Sequence, residues 1–600
     1  MSKSRPDSVY ADVRRIRLVA DGFDPDIAEW VRILTETLDE YAAILATNQD
    51  ARQDIGNATN PSIWPVLRSL WDAAADAHAD SEADDAPRLI QLSVSLARFT
   101  RNLVAATPAN QENAFANERA IRRLIYHYTT FNATQDASSF PATRMLSQAL
   151  SNIVTGNDAL TQSLWSTYVN LPEEQLILTR LFASPDSRTV SSAFVLVLNC
   201  VHDNAHRAEL LVRSPRGPRI CLTMLDRIAS LFEADEESEE GRAFVIGYEI
   251  IERIIEAGLV AELYARLTVE DEVVTAHQTT LLKLVDSYLH ASQQAHEVAL
   301  SRRHAADRGR SLFDVLTEAF FALSKYAQDA IQRALGSGRT SPPREAHSNP
   351  PPSTEVAGEE QPDAAPPPLQ NLDLLLPKVC EALVLVTQCL TTVALRAEEA
   401  AAAATHPGDT QPMHLSPKDL LVAATAARSG PRLVESLIET LRLVDVFVPR
   451  ITYGKVAKRP VVPDGADVLG QGHETSSGST TGTEEKGGAG LAGPSAEDAS
   501  AAQAFALVRR DLVRLLGILA AENRSVQERV RECGGIPVVM NLCVVDDYNP
   551  YLREHAIFAL RNLLHANAEN QAVVDAIKPV GKWDEEKVLR DIRGGGHGGP

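Results

Sequence analysis

Three constellations in this sequence have the residue types and spacing to do chemistry. His202-Asp203-Asn204-Ala205-His206 sets two imidazoles four residues apart, the spacing at which one helical face offers both to zinc while an acid serves as base. Gly488-Ala489-Gly490-Leu491-Ala492-Gly493 matches the dinucleotide fingerprint, whose glycines let a backbone approach a pyrophosphate between a strand and a helix N-terminus. The third set is a group of asparagines inside apolar segments, Asn102, Asn152, Asn199 and Asn562. Their amides could bond backbone in their own or the next helix, or line a groove and hold an extended peptide by its amides.

What positions these residues is a helical array. Arg101-Asn102-Leu103, Ala106 and Asn110-Gln111 recur at the same spacing, 460 residues later, as Arg561-Asn562-Leu563, Ala566 and Asn570-Gln571. Weaker copies sit at Ser151-Asn152-Ile153 and Leu198-Asn199-Cys200, so the asparagines step by 50 and then 47 residues. Such steps suit HEAT and armadillo repeats of roughly 40 to 47 residues with some loop insertion. Glu532-Cys533-Gly534-Gly535-Ile536-Pro537 and, more loosely, Glu256-Ala257-Gly258-Leu259-Val260 predict helix ends with a left-handed glycine. The expected fold is all-α, an armadillo/HEAT-like helical solenoid interrupted by disordered linkers, each unit burying an aliphatic stripe and leaving a concave face.

The register bears on the other two motifs. Aligning Asn199 with Asn562 sets His202 opposite His565 at the end of a helix, which takes His202 and His206 off a common face. The glycine motif falls inside 458–500, a Gly/Ser/Thr-rich stretch with no strand to precede it. No P-loop, nucleophile elbow or kinase set is present. No catalytic residue, cofactor or metal is expected, and the chain reads as a non-enzyme.

Composition sets the class of partner. Hydrophobic residues make up 44% of the 600-residue chain and aromatics only 5%, a helix-rich balance, and 600 residues exceed a single core. A formal net charge of −22 disfavours nucleic acid, because phosphate binding relies on Lys and Arg. The acidic run Glu233 to Glu240 reads as a solvated loop that could also attract a basic partner. Six scattered cysteines, Cys200, Cys221, Cys380, Cys389, Cys533 and Cys543, form no Cys-x-x-Cys pair and suit a reducing compartment. Residues 1–23 lack a signal-peptide core, and the most apolar stretch, Ala382 to Leu395, is broken by Thr and Gln. A cytoplasmic protein with protein partners, no membrane and no nucleic acid is expected, with self-association open.

The expected organisation is an N-terminal helical array over 1–335, a Pro-rich disordered linker 336–368, a middle helical block 369–457, a second linker 458–500, a C-terminal domain 501–592 and a flexible tail 593–600. The C-terminal block carries Gly534-Gly535-Ile536-Pro537, Asp546-Asp547-Tyr548-Asn549-Pro550 and Arg561-Asn562-Leu563-Leu564, with Asp511 to Gly517 before them and Glu569-Asn570-Gln571 after. Over about 65 residues it resembles the ataxin-ten family domain. Ile518 stands where that family tends to carry Asn, and His555 where Trp is common. The resemblance implies a non-enzymatic armadillo-like cytoplasmic protein that works through protein partners in cell division, particularly regulation of cytokinesis.

Candidate groove residues are Asn102, Asn152, Asn199, Arg514, Arg553, Arg561, Asn562 and Asn570, with Asp546, Asp547 and Asn549 as a candidate binding loop. Asp546 or Asp547 could instead cap the helix that follows. An importin-like groove would need Trp four residues before each Asn, and Arg98, Gln148, Val195 and Phe558 stand there instead. The alternatives are a structural subunit of a larger assembly without its own groove, or a metal-binding protein using His202 and His206.

Overall fold

Aliphatic residues at helical spacing, bounded by Asn, Asp and Ser, build nearly every element of the computed structural model. The structure describes residues 6–80, 86–293, 295–300, 310–336, 373–403, 416–426, 430–448, 451–452, 455–456, 496–547, 549–577, 581–583 and 589–591. The chain divides into two units, one of residues 1–291 with 297–312, the other of 292–296 with 313–600.

In the first unit, long helices Ala28–Thr47, Ala86–Val104, Phe140–Val154, Ser187–Val201 and Glu239–Glu256 pack each against the next, and shorter helices follow each of them. Ser187–Val201 shows how such a helix is specified. Asp186 caps it by accepting from the Thr189 amide at 2.9 Å, and Val190, Phe194, Val197 and Val201 form a stripe removed from water. Burying each such side chain contributes about 1.5–3 kcal/mol. Trp71 and Trp165 are fully buried with their indole N–H groups satisfied by Thr100 Oγ1 and the Arg207 carbonyl. The acidic run is a largely exposed turn leading into Glu239–Glu256, where Ser238 caps the helix and Glu239 and Glu240 sit at its positive end.

In the second unit, helix Leu376–Ala403 packs on Ala496–Ala520, which in turn packs on Leu552–Leu564. Helix Leu312–Gly336, expected at the end of the N-terminal array, lies in this unit from Phe313 onward. Gln328 Nε2 donates to the Ser436 carbonyl and to Thr440 Oγ1, and the Tyr326 hydroxyl reaches Asp373. The middle and C-terminal blocks, with an expected linker between them along the chain, are in contact here. Arg529 makes a paired contact with Glu435 and donates to the Val422 carbonyl, Arg442 donates to the Cys533 carbonyl, and Gln388 donates to Asp511. Burial raises the Glu435 carboxyl, but the hydrogen bonds and charge of Arg529 more than offset this and hold it below the usual range.

Three further expectations need adjusting. The helix Ala496–Ala520 begins inside the stretch expected as linker to residue 500. Among the described residues, two short antiparallel ladders, Ile451–Thr452 with Lys455–Val456 and Gly581–Trp583 with Leu589–Asp591, and an isolated bridge between Thr425 and Arg432 accompany the helices. Helix Leu376–Ala403 contains a 25-residue stretch of mean hydropathy 1.5, long and apolar enough to cross a membrane, although its Thr and Gln residues suggested otherwise; 67% of its most apolar window is buried within the protein. Residues 337–368, 458–495 and 593–600, the remainder of the expected linkers and the expected tail, lie outside the described residues.

Candidate functional site

The asparagine ladder resolves into one repeated hydrogen bond. Asn102 Nδ2 donates to the Ala42 carbonyl at 2.8 Å, Asn152 to Arg101 at 3.1 Å and Asn562 to Gly517 at 2.9 Å, each tying its helix to the preceding long helix. Asn199 makes the same crossing to hydroxyls, Ser151 Oγ at 2.7 Å and Thr155 Oγ1 at 2.8 Å. The amides therefore hold the array together, while half-exposure leaves their outer edges accessible. Ile518, at the rung 44 residues before Asn562, is 6% exposed and packs as core.

A stronger signal surrounds the ladder. Four residues after each rung the backbone turns left-handed, at Ala106, Gly156, Asp203, Glu522 and Ala566, with φ between 50 and 74°. Thr107, Asn157, Asn204, Asn523 and Asn567 follow, and the four asparagines cap the next helix through their side chains. This turn separates His202, at the end of one helix, from His206 in the next, so the two imidazoles share no helical face. They contact Asp203 and Glu209 instead, and no cluster of three or more metal-ligating side chains occurs among the described residues. The candidate dinucleotide motif at 488–493 lies outside the described residues.

The 460-residue echo extends to atoms. Asn110 Nδ2 donates to Leu103 O and Arg52 O, and Asn570 Nδ2 donates to Leu563 O and Gln527 O, both side chains being buried. Asn570 is fully buried, which corrects its place among groove candidates: the array needs its amide internally.

The expected binding loop is also mostly internal. Asp546 is 2% exposed and pairs with the buried guanidinium of Arg509, Oδ2 to Nη2 at 3.0 Å; Asp445 lies 3.6 Å from the same group. Asn549 is buried and donates to the Ala506 carbonyl. Neither aspartate caps the next helix, which starts at Leu552 after Tyr551 without a side-chain cap. The acidic loop is thus a clasp onto helix Ala496–Ala520, and Asp547 alone of the three candidates is exposed. Arg509 escaped notice in the sequence because its partner lies 37 residues away. Of the remaining candidates Arg514 is half-buried, and Arg553 and Arg561 are exposed on helix Leu552–Leu564.

Residues 508–594, which contain this clasp, match the spinocerebellar ataxia type 10 protein domain. Over these residues the chain is similar to ataxin-10 proteins. The ataxin-10 homolog of Dictyostelium discoideum is 40% identical over 82 residues, 14% of this chain and 13% of that protein. Human ataxin-10 is 37% identical over 73 residues, 12% of this chain and 15% of that protein. The matches thus span well under a fifth of these ataxin-10 proteins. Among solved structures, SYS-1 aligns over 95% of each chain at 10% identity with a TM-score of 0.30.

Proposed function

We propose that the protein is a non-enzymatic interaction scaffold whose long helices present a binding strip to protein partners. The carrying observation is the repeat register. Positions one and four residues before each rung lie on one helical face, and in the first unit Arg98, Arg101, Gln148, Val195 and Leu198 stand there half-exposed. This strip mixes aliphatic and basic groups, which suits an amphipathic segment with acidic residues. A reducing, cytoplasmic setting accords with six free thiols; burial pushes Cys200, Cys221 and Cys380 up to about 12, so they behave as small apolar groups. Kinship with the ataxin-10 family supports extending the role to cell division and cytokinesis.

The test is affinity capture from dividing cells with the full chain, comparing the unaltered protein with Arg101→Glu and Leu198→Asp. Both positions tolerate polar residues without opening the core, so a defined partner should be lost while the fold is kept. Capture of the same partners by both variants would remove the strip from the proposal.

A further inference from the structure

Away from the strip, the short helix Glu118–Tyr128 carries a second pattern. Ala120, Ile121, Leu124, Ile125 and Tyr128 form its buried face, and beside them Arg119, Arg122, Arg123, Tyr126 and His127 make a stripe at i, i+3, i+4, i+7 and i+8. That stripe walls a pocket of about 490 Å³, closed on its other sides by helix Ile63–Asp80 and by Glu174, Gln175 and Ile177. The pocket lies within the first unit, and no residue of the strip lines it. Cations three and four residues apart on a helix repel one another, and Arg119 stands in the first turn, at the positive end of the helix. The arrangement costs the helix stability, which an anion in the pocket would offset.

The guanidinium groups are only partly used. Glu118 accepts from Arg122 Nε at 2.9 Å, and Asp76 accepts from Arg123 Nη2 at 2.9 Å. Among the described residues this leaves both terminal nitrogens of Arg122, and Nε and Nη1 of Arg123, without a partner, and Arg119 has none at all. Glu174 is the one carboxylate among the lining residues. The rings are held by their neighbours. Arg180, fixed by the Thr129 and Glu174 carbonyls, stacks 4.2 Å from the centre of the Tyr126 ring, and His127 meets His78 edge to face at 5.0 Å. His78 is locked in turn, its Nδ1–H donating to the Ala74 carbonyl at 2.6 Å and its Nε2 accepting from the Tyr128 hydroxyl. Burial lowers the His127 pKa, so near pH 7 that ring is neutral and has an N–H to offer. We propose that this pocket binds a nucleoside monophosphate, its phosphoryl group on Arg119, Arg122 and Arg123 and its ring on Tyr126 and His127. The volume suits a small molecule more than a bare ion, and open guanidinium edges suit a phosphoryl group. Ala75, Leu124 and Ile177 add apolar surface for the body of the ligand.

Calorimetric titration of the full chain with AMP, UMP, inorganic phosphate and adenosine tests this. The better nucleotide should bind about tenfold or more tightly than either inorganic phosphate or adenosine. Arg119→Glu, at an exposed position, should weaken that nucleotide about tenfold with the thermal midpoint unchanged, and Arg119→Lys should keep part of the affinity. Tyr126→Ala should weaken the nucleotide but not inorganic phosphate, a split that a misfolded variant would not show. No binding of either nucleotide at millimolar concentration overturns the proposal, as does equal affinity for nucleotide and inorganic phosphate, or nucleotide binding that survives Arg119→Glu. A phosphotyrosine peptide that binds more tightly than both nucleotides overturns it in favour of a modified protein partner.

Discussion

Arg509 and Asp546 show what a single buried charge pair asks of its surroundings. Each is almost fully removed from water, so deleting either leaves the other charged and desolvated, at about 3–5 kcal/mol. Asp546→Ala should therefore lower the urea midpoint of the second unit by an amount matching about 3 kcal/mol, whereas Asp547→Ala next door, being exposed, should stay within about 0.5 kcal/mol. Equal effects would return the loop to the surface role first expected of it. His78 in the first unit illustrates the opposite remedy, staying neutral. Burial lowers its pKa to about 4 despite a hydrogen bond to the Ala74 carbonyl, and its other nitrogen contacts the Tyr128 hydroxyl. Between pH 6.5 and 4 the unfolded chain binds the proton that the folded chain refuses, so acidification removes stability, by up to about 3 kcal/mol at pH 4, and nothing is lost above pH 7. Trp30, Trp64, Trp71 and Trp165 all lie in the first unit and report its unfolding. His78→Gln should flatten that pH dependence, and an unchanged slope would assign it elsewhere.

At the scale of elements, the rung asparagine and the capping asparagine five residues later divide the work of joining one repeat to the next. Asn567 caps helix Ala568–Ala576 and also donates to Gln527 Oε1 at 3.0 Å, so Asn567→Ala removes a cap and strands a buried partner. A loss of about 2 kcal/mol is expected, larger than the roughly 1 kcal/mol of an exposed cap, readable as faster exchange in that helix. Gly517 has a different task. A Cβ there would lie 2.9 Å from Phe558 and 3.1 Å from the Ala559 backbone, so Gly517→Val should force helices Ala496–Ala520 and Leu552–Leu564 apart and lower the thermal midpoint. Much of this was legible beforehand, because Asn102 and Asn562 repeat with their neighbours in sequence, and because the glycines of Gly258 and Gly534 do adopt the left-handed backbone, φ 72 and 66°. The caps were harder to see, since Ala106, Asp203, Glu522 and Ala566 turn left-handed without being glycine. The fates of Asn570, Asp546 and Asn549 were not legible at all, because burial depends on which distant carbonyl or guanidinium the fold brings near.

At the scale of the molecule, the second unit is assembled from pieces that sequence composition sets apart. Residues 457–495 separate the middle block from the C-terminal one along the chain, yet the contacts crossing between them include Arg529 with Glu435, Arg442 with the Cys533 carbonyl, and the packing of Leu376–Ala403 on Ala496–Ala520. Arg529 is 8% exposed, so its carboxylate partner and the Val422 carbonyl are what make that burial tolerable. The family match begins at residue 508, while the surfaces that complete that domain come from residues 422–447, outside it. It follows that covalent continuity through 457–495 is not what keeps the C-terminal domain in place. A specific protease site placed at 470–480 and cleaved after folding should leave both fragments co-eluting in gel filtration at the original volume. Arg529→Ala, which strands Glu435 and removes the buried guanidinium, should let the fragments separate after the same cut. If the intact pair falls apart on cleavage without any substitution, the contacts are too weak to make one unit, and the C-terminal domain is held to the middle block only through the intervening chain.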